Sequence, residues 1–308
     1  MMNSGMLYDP NFFSGHNRDQ HPENIHRLSL LGDLDFGHSV DHRPATDAEL
    51  LAVHTPGHLK TVAAQCLNGS GFLDPDTYCC PESEIVARAA SGGLIDLCFG
   101  VLDGAFANGL ALIRPPGHHA TADQAMGFCL YNHIAMAAAA LKTRGVSRVC
   151  IVDFDVHHGN GTQDIFYEDD TVLYLSSHQY PHYPGTGSTA EIGRGKGVGF
   201  TLNHHLVAGS GDDELLAGYR EYLLPRMAEF QPEFVLVSAG FDGHADDPLA
   251  GLNTTTTGYR RLMDLLIQEA GIWCEGKIVF VLEGGYNPRA LADCLGETMT
   301  ALQVGSSE

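Results

Sequence analysis

Short, uninterrupted apolar runs recur at 149–152, 172–175, 234–237 and 278–282, separated by longer stretches whose apolar residues fall three and four apart. Runs of that length, rich in Val, Ile and Leu and without alternation, read as strands covered on both faces, and the longer stretches as helices. The pattern predicts strands over 109–114, 149–152, 171–177, 198–202, 233–239 and 277–283. Helices are predicted over 46–53, 56–67, 82–101, 128–142, 162–167, 212–229, 254–274 and 288–302. Residues 1–45 read as irregular, and 68–81 and 178–199 as loops rich in turn formers. Strands alternating with helices imply an α/β fold, a three-layer αβα arrangement around a central, mainly parallel sheet. No repeat and no long linker interrupts the pattern, so one domain is expected over 1–308.

In such sheets ligands collect outside the carboxyl ends of the strands. Four predicted strands run into unusual polar residues there: His118-His119, Asp153 to His157, Gly240-Phe241-Asp242 and Gly284-Gly285-Tyr286. Alternation along an extended chain would turn Asp153, Asp155 and His157 to one side. Two carboxylates and an imidazole are costly to bury unless a cation or a hydrogen-bond network compensates. Asp155, His157 and Asp242 together offer the three protein ligands of a catalytic zinc site that keeps a position for water or substrate. His118 and His119 supply groups that titrate near neutrality, one oriented by Asp153 and the other by the amide of Asn160. Tyr286 can donate to a developing oxyanion. Singly, each feature has a plainer reading: a loop-capping carboxylate, a hydrogen-bonded histidine pair, a turn. Their equivalent positions on one rim favour the chemical reading, a zinc hydrolase.

Composition narrows the partners. The chain has 308 residues, 44% of them hydrophobic, and a formal charge of -21. That charge excludes nucleic acid as the main ligand, since phosphate contacts need a basic face. It suits a cationic substrate, or simply solubility. Eight cysteines include no Cys-x-x-Cys pair, so no zinc ribbon or thioredoxin-type motif is expected. Cys98, Cys129, Cys150, Cys274 and Cys294 read as core residues, and the adjacent Cys79-Cys80 as inert thiols in a loop. With no basic-then-apolar start and no run of 18 apolar residues, the expectation is a cytoplasmic protein without a membrane partner.

Longer motifs carry a resemblance: His21-Pro22-Glu23-Asn24 with Arg27, Arg114-Pro115-Pro116-Gly117-His118-His119-Ala120, Gly127-Phe128, and 153–162 (Asp-Phe-Asp-Val-His-His-Gly-Asn-Gly-Thr). Pro184-Gly185-Thr186-Gly187, Gly240-Phe241-Asp242, Asp247-Pro248-Leu249 and Glu283-Gly284-Gly285-Tyr286 complete the set. The chain resembles the histone deacetylase and acetylpolyamine amidohydrolase superfamily over nearly its whole length. Asn160, where class I members carry Asp, makes it similar to the class II, bacterial-type branch. The resemblance implies an arginase-like fold, zinc on Asp155, His157 and Asp242, and His119 as general base and acid. It implies that His118, paired to Asp153, tunes the electrostatics, and that Tyr286 polarises the scissile carbonyl. Also implied are a potassium ion held by Asp153, Asp155, His157, Ser176 and Ser177, and a second near Phe166, Asp169 and Val172. Gly127 with Phe128, and Tyr183, match the walls of the family's lysine tunnel. Asp76 is a candidate acceptor for the substrate amide N–H. Leu249 stands where polyamine-selective relatives tend to carry an acid. The expected activity is removal of acetyl or other acyl groups from lysine side chains, with acetylpolyamine hydrolysis as the alternative and a homo-oligomer as a possible assembly. A non-catalytic acyl-lysine binding module would lack part of this set, and a binuclear manganese ureohydrolase would need further ligands where position 160 has an amide.

Overall fold

The computed structural model describes residues 4–32 and 38–305. Its strands are β1 (Gly5–Leu7), β2 (Gly71–Phe72), β3 (Tyr78–Cys79), β4 (Gly109–Ala111), β5 (Val149–Asp153), β6 (Val172–Gln179), β7 (Thr201–Leu206), β8 (Phe234–Ala239) and β9 (Ile278–Leu282). Its α-helices are α1 (Pro10–Phe13), α2 (Asp47–Leu50), α3 (Pro56–Leu67), α4 (Ser83–Leu102), α5 (His133–Thr143), α6 (Asn160–Phe166), α7 (Asp212–Gly218), α8 (Leu224–Phe230), α9 (Thr256–Cys274) and α10 (Pro288–Gly305). Seven strands form one sheet in the order β1-β4-β9-β8-β5-β6-β7, every pair parallel. β2 and β3 form a separate antiparallel hairpin within the stretch read as loop.

Side-chain alternation divides the core into two layers. Val149 and Ile151 of β5 face one side with Val279 and Val281 of β9, packed against α3, α4 and α5. Cys150 and Val152 face the other side with Ile278 and Phe280, under the segment from α7 to α10. Both faces of the sheet are therefore dry, which is why these strands read as unbroken apolar runs. α4 is long and apolar enough by composition to cross a membrane, but 67% of that stretch is buried inside the fold.

Differences from the sequence reading have local causes. The supposedly irregular start contributes β1, an edge strand of three residues pairing Gly5 with Gly109, Met6 with Leu110 and Leu7 with Ala111. The helix expected from 128 begins at His133, because the Asn132 side chain accepts from the Ala135 amide and caps it there. The helix expected over 212–229 is α7 and α8 joined by a π-helical turn, Tyr219–Leu223. Pro225, lacking an N–H, cannot continue the α ladder at that point. β5 ends at Asp153, so Asp155 and His157 lie in the following turns and are not aligned by strand alternation.

Two buried histidines are held neutral by burial, with both ring nitrogens satisfied by hydrogen bonds. Each uses one ring nitrogen as donor and the other as acceptor. His54 Nδ1 donates to the Thr121 carbonyl at 2.9 Å while Nε2 accepts from the Asn132 amide at 2.9 Å. His133 Nε2 donates to the Pro115 carbonyl at 3.1 Å while Nδ1 accepts from the Ser91 hydroxyl at 2.7 Å. Burial, with His58 adding to it for His54, lowers His54 to about 3 and His133 to about 4. The unfolded chain takes up these protons below about pH 6.5, whereas the folded chain refuses them until far lower. Stability is therefore complete above that pH and lost as it falls toward the folded values. Denaturant titrations at pH 6.5 and pH 5 should show a loss of about 2 kcal/mol per histidine. A stability that is flat across that window would contradict this account.

Candidate active site

At the carboxyl end of β5 the chain turns through Asp153, Asp155 and His157, and at the end of β8 it turns through Asp242. His157 Nδ1 lies 3.1 Å from Asp155 Oδ1 and 3.2 Å from Asp242 Oδ2. One donor atom from each of these three residues falls within 4.8 Å of the others. Neither carboxylate is free to swing away. Asp155 accepts from the Gly284 amide at 2.8 Å and the His157 amide at 2.9 Å, and Asp242 accepts from the Val156 amide at 3.0 Å. A Cβ on Gly240 would sit 2.0 Å from Asp155 Oδ2, and one on Gly284 would sit 2.0 Å from Asp242 Oδ2. Glycine at both positions is what lets the carboxylates enter. The donor set of one imidazole and two carboxylates fits a divalent cation such as zinc and would leave it electrically neutral.

His118 and His119 follow β4 and lie above these groups, their ring centroids 4.0 Å apart. His118 Nδ1 donates to Asp153 Oδ2 at 3.0 Å, and Tyr174 donates to the same oxygen at 3.0 Å. Burial would depress His118, but Asp153, Asp155 and Glu283 outweigh it and raise its pKa to about 10. His119 behaves oppositely. Burial, reinforced by the charges on His118 and His157, holds it well below the ordinary histidine range, so it is neutral. Its Nδ1 donates to Asn160 Oδ1 at 2.8 Å.

The floor opens into a cavity of about 220 Å³ whose walls include Phe128, Tyr183, Tyr286, Leu249, Asp76 and Gly127. Gly127 and Phe128 both have positive φ, +55° and +69°, in a turn closed by paired backbone bonds between Met126 and Cys129. That conformation is uncommon for a bulky residue and aims the Phe128 ring at the cavity. Phe128 meets Tyr286 edge-on at 5.9 Å, and Tyr183 meets His119 edge-on at 5.3 Å. Tyr286 is clamped from behind. Its amide donates to Asp247 at 2.6 Å, and the Arg27 guanidinium lies 4.8 Å over its ring. Burial pushes the Tyr286 phenol well above its ordinary range, so it remains a donor.

Sequence reasoning gave no role to several groups that hold this arrangement. Glu283 is buried and accepts from the Gly117 and His118 amides at 2.7 and 3.2 Å. Arg27 donates to the carbonyls of Glu283 and Gly285, and it shares the buried Glu23 with Arg114. His182 stacks on His157 at 5.1 Å and lines the cavity. Glu283, Arg27 and Glu23 were visible only as members of motifs, and His182 had no signal in the surrounding loop. The residues named for potassium are in place around β5 and β6, but the hydroxyls of Ser176 and Ser177 are engaged by His178 and Tyr219. Phe166, Asp169 and Val172 lie between α6 and β6, the Asp169 carboxylate accepting from Lys142 at 2.6 Å and from Thr171. All eight cysteines are buried and unpaired, with Cys79 in β3.

A family model described as the histone deacetylase domain matches residues 19–302. The chain belongs to the histone deacetylase family. It is 38% identical to "Histone deacetylase 10, chloroplastic" of Oryza sativa subsp. japonica, over 96% of this chain and 72% of that one. It is 37% identical to a "Probable deacetylase" of Archaeoglobus fulgidus, over 93% of this chain and 82% of that one. The solved HDA15 HD domain superposes with a TM-score of 0.93 at 36% identity, covering 98% of this chain and 89% of that one. This histone deacetylase family member is thus a hydrolase acting on amide bonds, with a triad able to hold a metal ion.

Replacing Gly240 by alanine places a methyl group against Asp155 and should weaken binding of any divalent metal by the triad about 10- to 100-fold, zinc being the probe. Calorimetric titration of the metal-stripped protein, with circular dichroism to verify folding, measures it; unaltered affinity would refute the packing argument.

Proposed function

We propose that this family member hydrolyses acyl groups from the ε-amine of lysine side chains, with one zinc ion held by Asp155, His157 and Asp242. The observation that carries this reading is the convergence of those donor atoms, the His118–His119 pair and the Tyr286 ring on one narrow, aromatic-walled cavity. Bound there, zinc supplies Lewis acidity to the acyl carbonyl and acidifies a water.

The remaining steps belong to the chain. Neutral His119, anchored through Nδ1, offers Nε2 to take a proton from the attacking water and later return it to the leaving amine. Protonated His118 stays beside Asp153 and stabilises negative charge developing nearby, giving up no proton itself. Tyr286 donates its hydroxyl proton in a hydrogen bond to the carbonyl oxygen as that oxygen gains charge. Phe128 and Tyr183 enclose the methylenes of the lysine; four of these contribute roughly 3 kcal/mol of alignment at about 0.8 kcal/mol each. Asp76, half-buried at the mouth, accepts the substrate amide N–H. Its carboxyl is pushed up by burial and by the neighbouring Asp74, and a hydrogen-bond donor relieves that cost.

Potassium ions fit the same reading. The first would lie behind the zinc on Asp153, Asp155, His157, Ser176 and Ser177, drawing on main-chain oxygens where the serine hydroxyls are already engaged. The second would lie near Phe166, Asp169 and Val172. A second substrate reading, hydrolysis of acetylpolyamines, is favoured by Asp76 on the cavity wall, with Asp74 bonded to its amide, in a chain with net charge -21. Against it stands Leu249, which offers a polyamine amine no counter-charge.

The test is parallel turnover of acetyl-lysine peptides, longer acyl-lysines and acetylspermidine by the zinc-loaded protein. Acetyl-lysine peptides should be preferred, and Tyr286→Phe should lower kcat by about 10²- to 10³-fold. Zinc-loaded protein that leaves every acylated amine intact would defeat the proposal. Leu249→Glu should raise relative kcat/KM for acetylspermidine about fivefold, the scale of one exposed ion pair. A ratio that does not move would remove Leu249 from specificity.

A further inference from the structure

An amide has a direction, and at position 160 that direction decides where the proton of His119 resides. Asn160 is buried, so solvent does not correct a wrong orientation. Its Oδ1 accepts from His119 Nδ1 at 2.8 Å. Its Nδ2 donates to two acceptors, the His119 carbonyl at 3.4 Å and the sulfur of Met126 at 3.4 Å. That separation is within ordinary hydrogen-bonding reach of a thioether sulfur. Rotating the amide by half a turn would set Oδ1 against both of those acceptors. It would also present Nδ2 hydrogens to His119 Nδ1, making that nitrogen an acceptor and driving the ring proton to Nε2.

We propose that Met126 is a positioning residue, its sulfur holding the Asn160 amide in the orientation that keeps the His119 proton on Nδ1 and leaves Nε2 bare toward the cavity. The turn that aims Phe128 also fixes Met126. Met126 and Cys129 exchange backbone hydrogen bonds of 3.2 and 2.9 Å across it. Gly127 packs so closely on His119 that a Cβ there would lie 2.4 Å from the ring. The Phe128 amide donates to the Thr77 hydroxyl at 3.0 Å. One four-residue turn thus sets both a wall of the cavity and the tautomer of the neighbouring imidazole. A carboxylate at 160 would need no such device, because its two oxygens are equivalent acceptors.

The kinetic consequence rests on the deacylase reading; the tautomer does not. Met126→Leu keeps the bulk of the side chain and removes the acceptor. With the zinc-loaded protein and an acetyl-lysine peptide, this change should lower kcat about fivefold with KM unchanged, the scale of one neutral hydrogen bond. In an Asn160→Asp background the same substitution should have no effect on kcat. ¹⁵N spectra of histidine-labelled protein should show His119 as the Nδ1–H tautomer in the wild type and as a mixture of both tautomers in Met126→Leu. An equal loss of kcat in both backgrounds would make Met126 a packing residue and overturn the proposal, as would an unchanged tautomer. If the wild type hydrolyses no acylated amine, the deacylase reading falls and the ¹⁵N spectra alone decide the role of Met126.

Discussion

The molecule buries more negative charge at one end of its sheet than its own residues neutralise. Asp153, Asp155, Asp242 and Glu283 are each at most 1% exposed and lie within a few residues of three strand ends, those of β5, β8 and β9. Against them the chain sets His118 and His157, both raised to about 10 by those carboxylates despite their own burial. Burial and Asp155 push Asp242 up, while His118 and His157 hold Asp155 down. A divalent cation held by Asp155, His157 and Asp242 would resolve that conflict. His119, buried and flanked by positive neighbours, is left neutral, so burial and the local charge together separate the two members of the histidine pair.

Holding so many like charges together demands a rigid frame, and the frame comes from distant parts of the chain. Arg27, near the start, donates to main-chain carbonyls on either side of Gly284 and lies over the Tyr286 ring. Arg114, after β4, makes a two-pronged bond to Glu23. Arg114, His16 and Arg27 together hold Glu23 well below the carboxylate range in spite of its complete burial. This ion cluster ties the segment Glu23–Arg27 to the turn after β9. Truncating one partner would strand the others uncompensated, a loss on the order of 3–5 kcal/mol.

The parallel sheet was legible because strands covered on both faces leave unbroken apolar runs, and β5, β6, β8 and β9 stand where those runs lie. β1 was not, since a three-residue edge strand spelled Gly-Met-Leu carries no such run. The turn at 126–129 was hidden by the alanine-rich stretch after it, which reads as helix until Asn132 is seen to cap it. Within the candidate site, the strand-end residues were legible from topology alone. Their mutual arrangement was not: Asp155 and His157 meet through turns beyond β5, not through alternation along it. Met126 and His182 carry no motif of their own, and only folding reveals what they touch.

The order of strands has a consequence for how the chain is made. β9, the last of these seven strands in chain order, inserts between β4 and β8. Until residues 278–282 emerge from the ribosome, β1 and β4 have no neighbour joining them to β8, β5, β6 and β7. The nascent chain must therefore keep two half-sheets apart with apolar edges open. Contacts spanning most of the sequence make that final closure slow, and these edges are where a folding helper has most to shield.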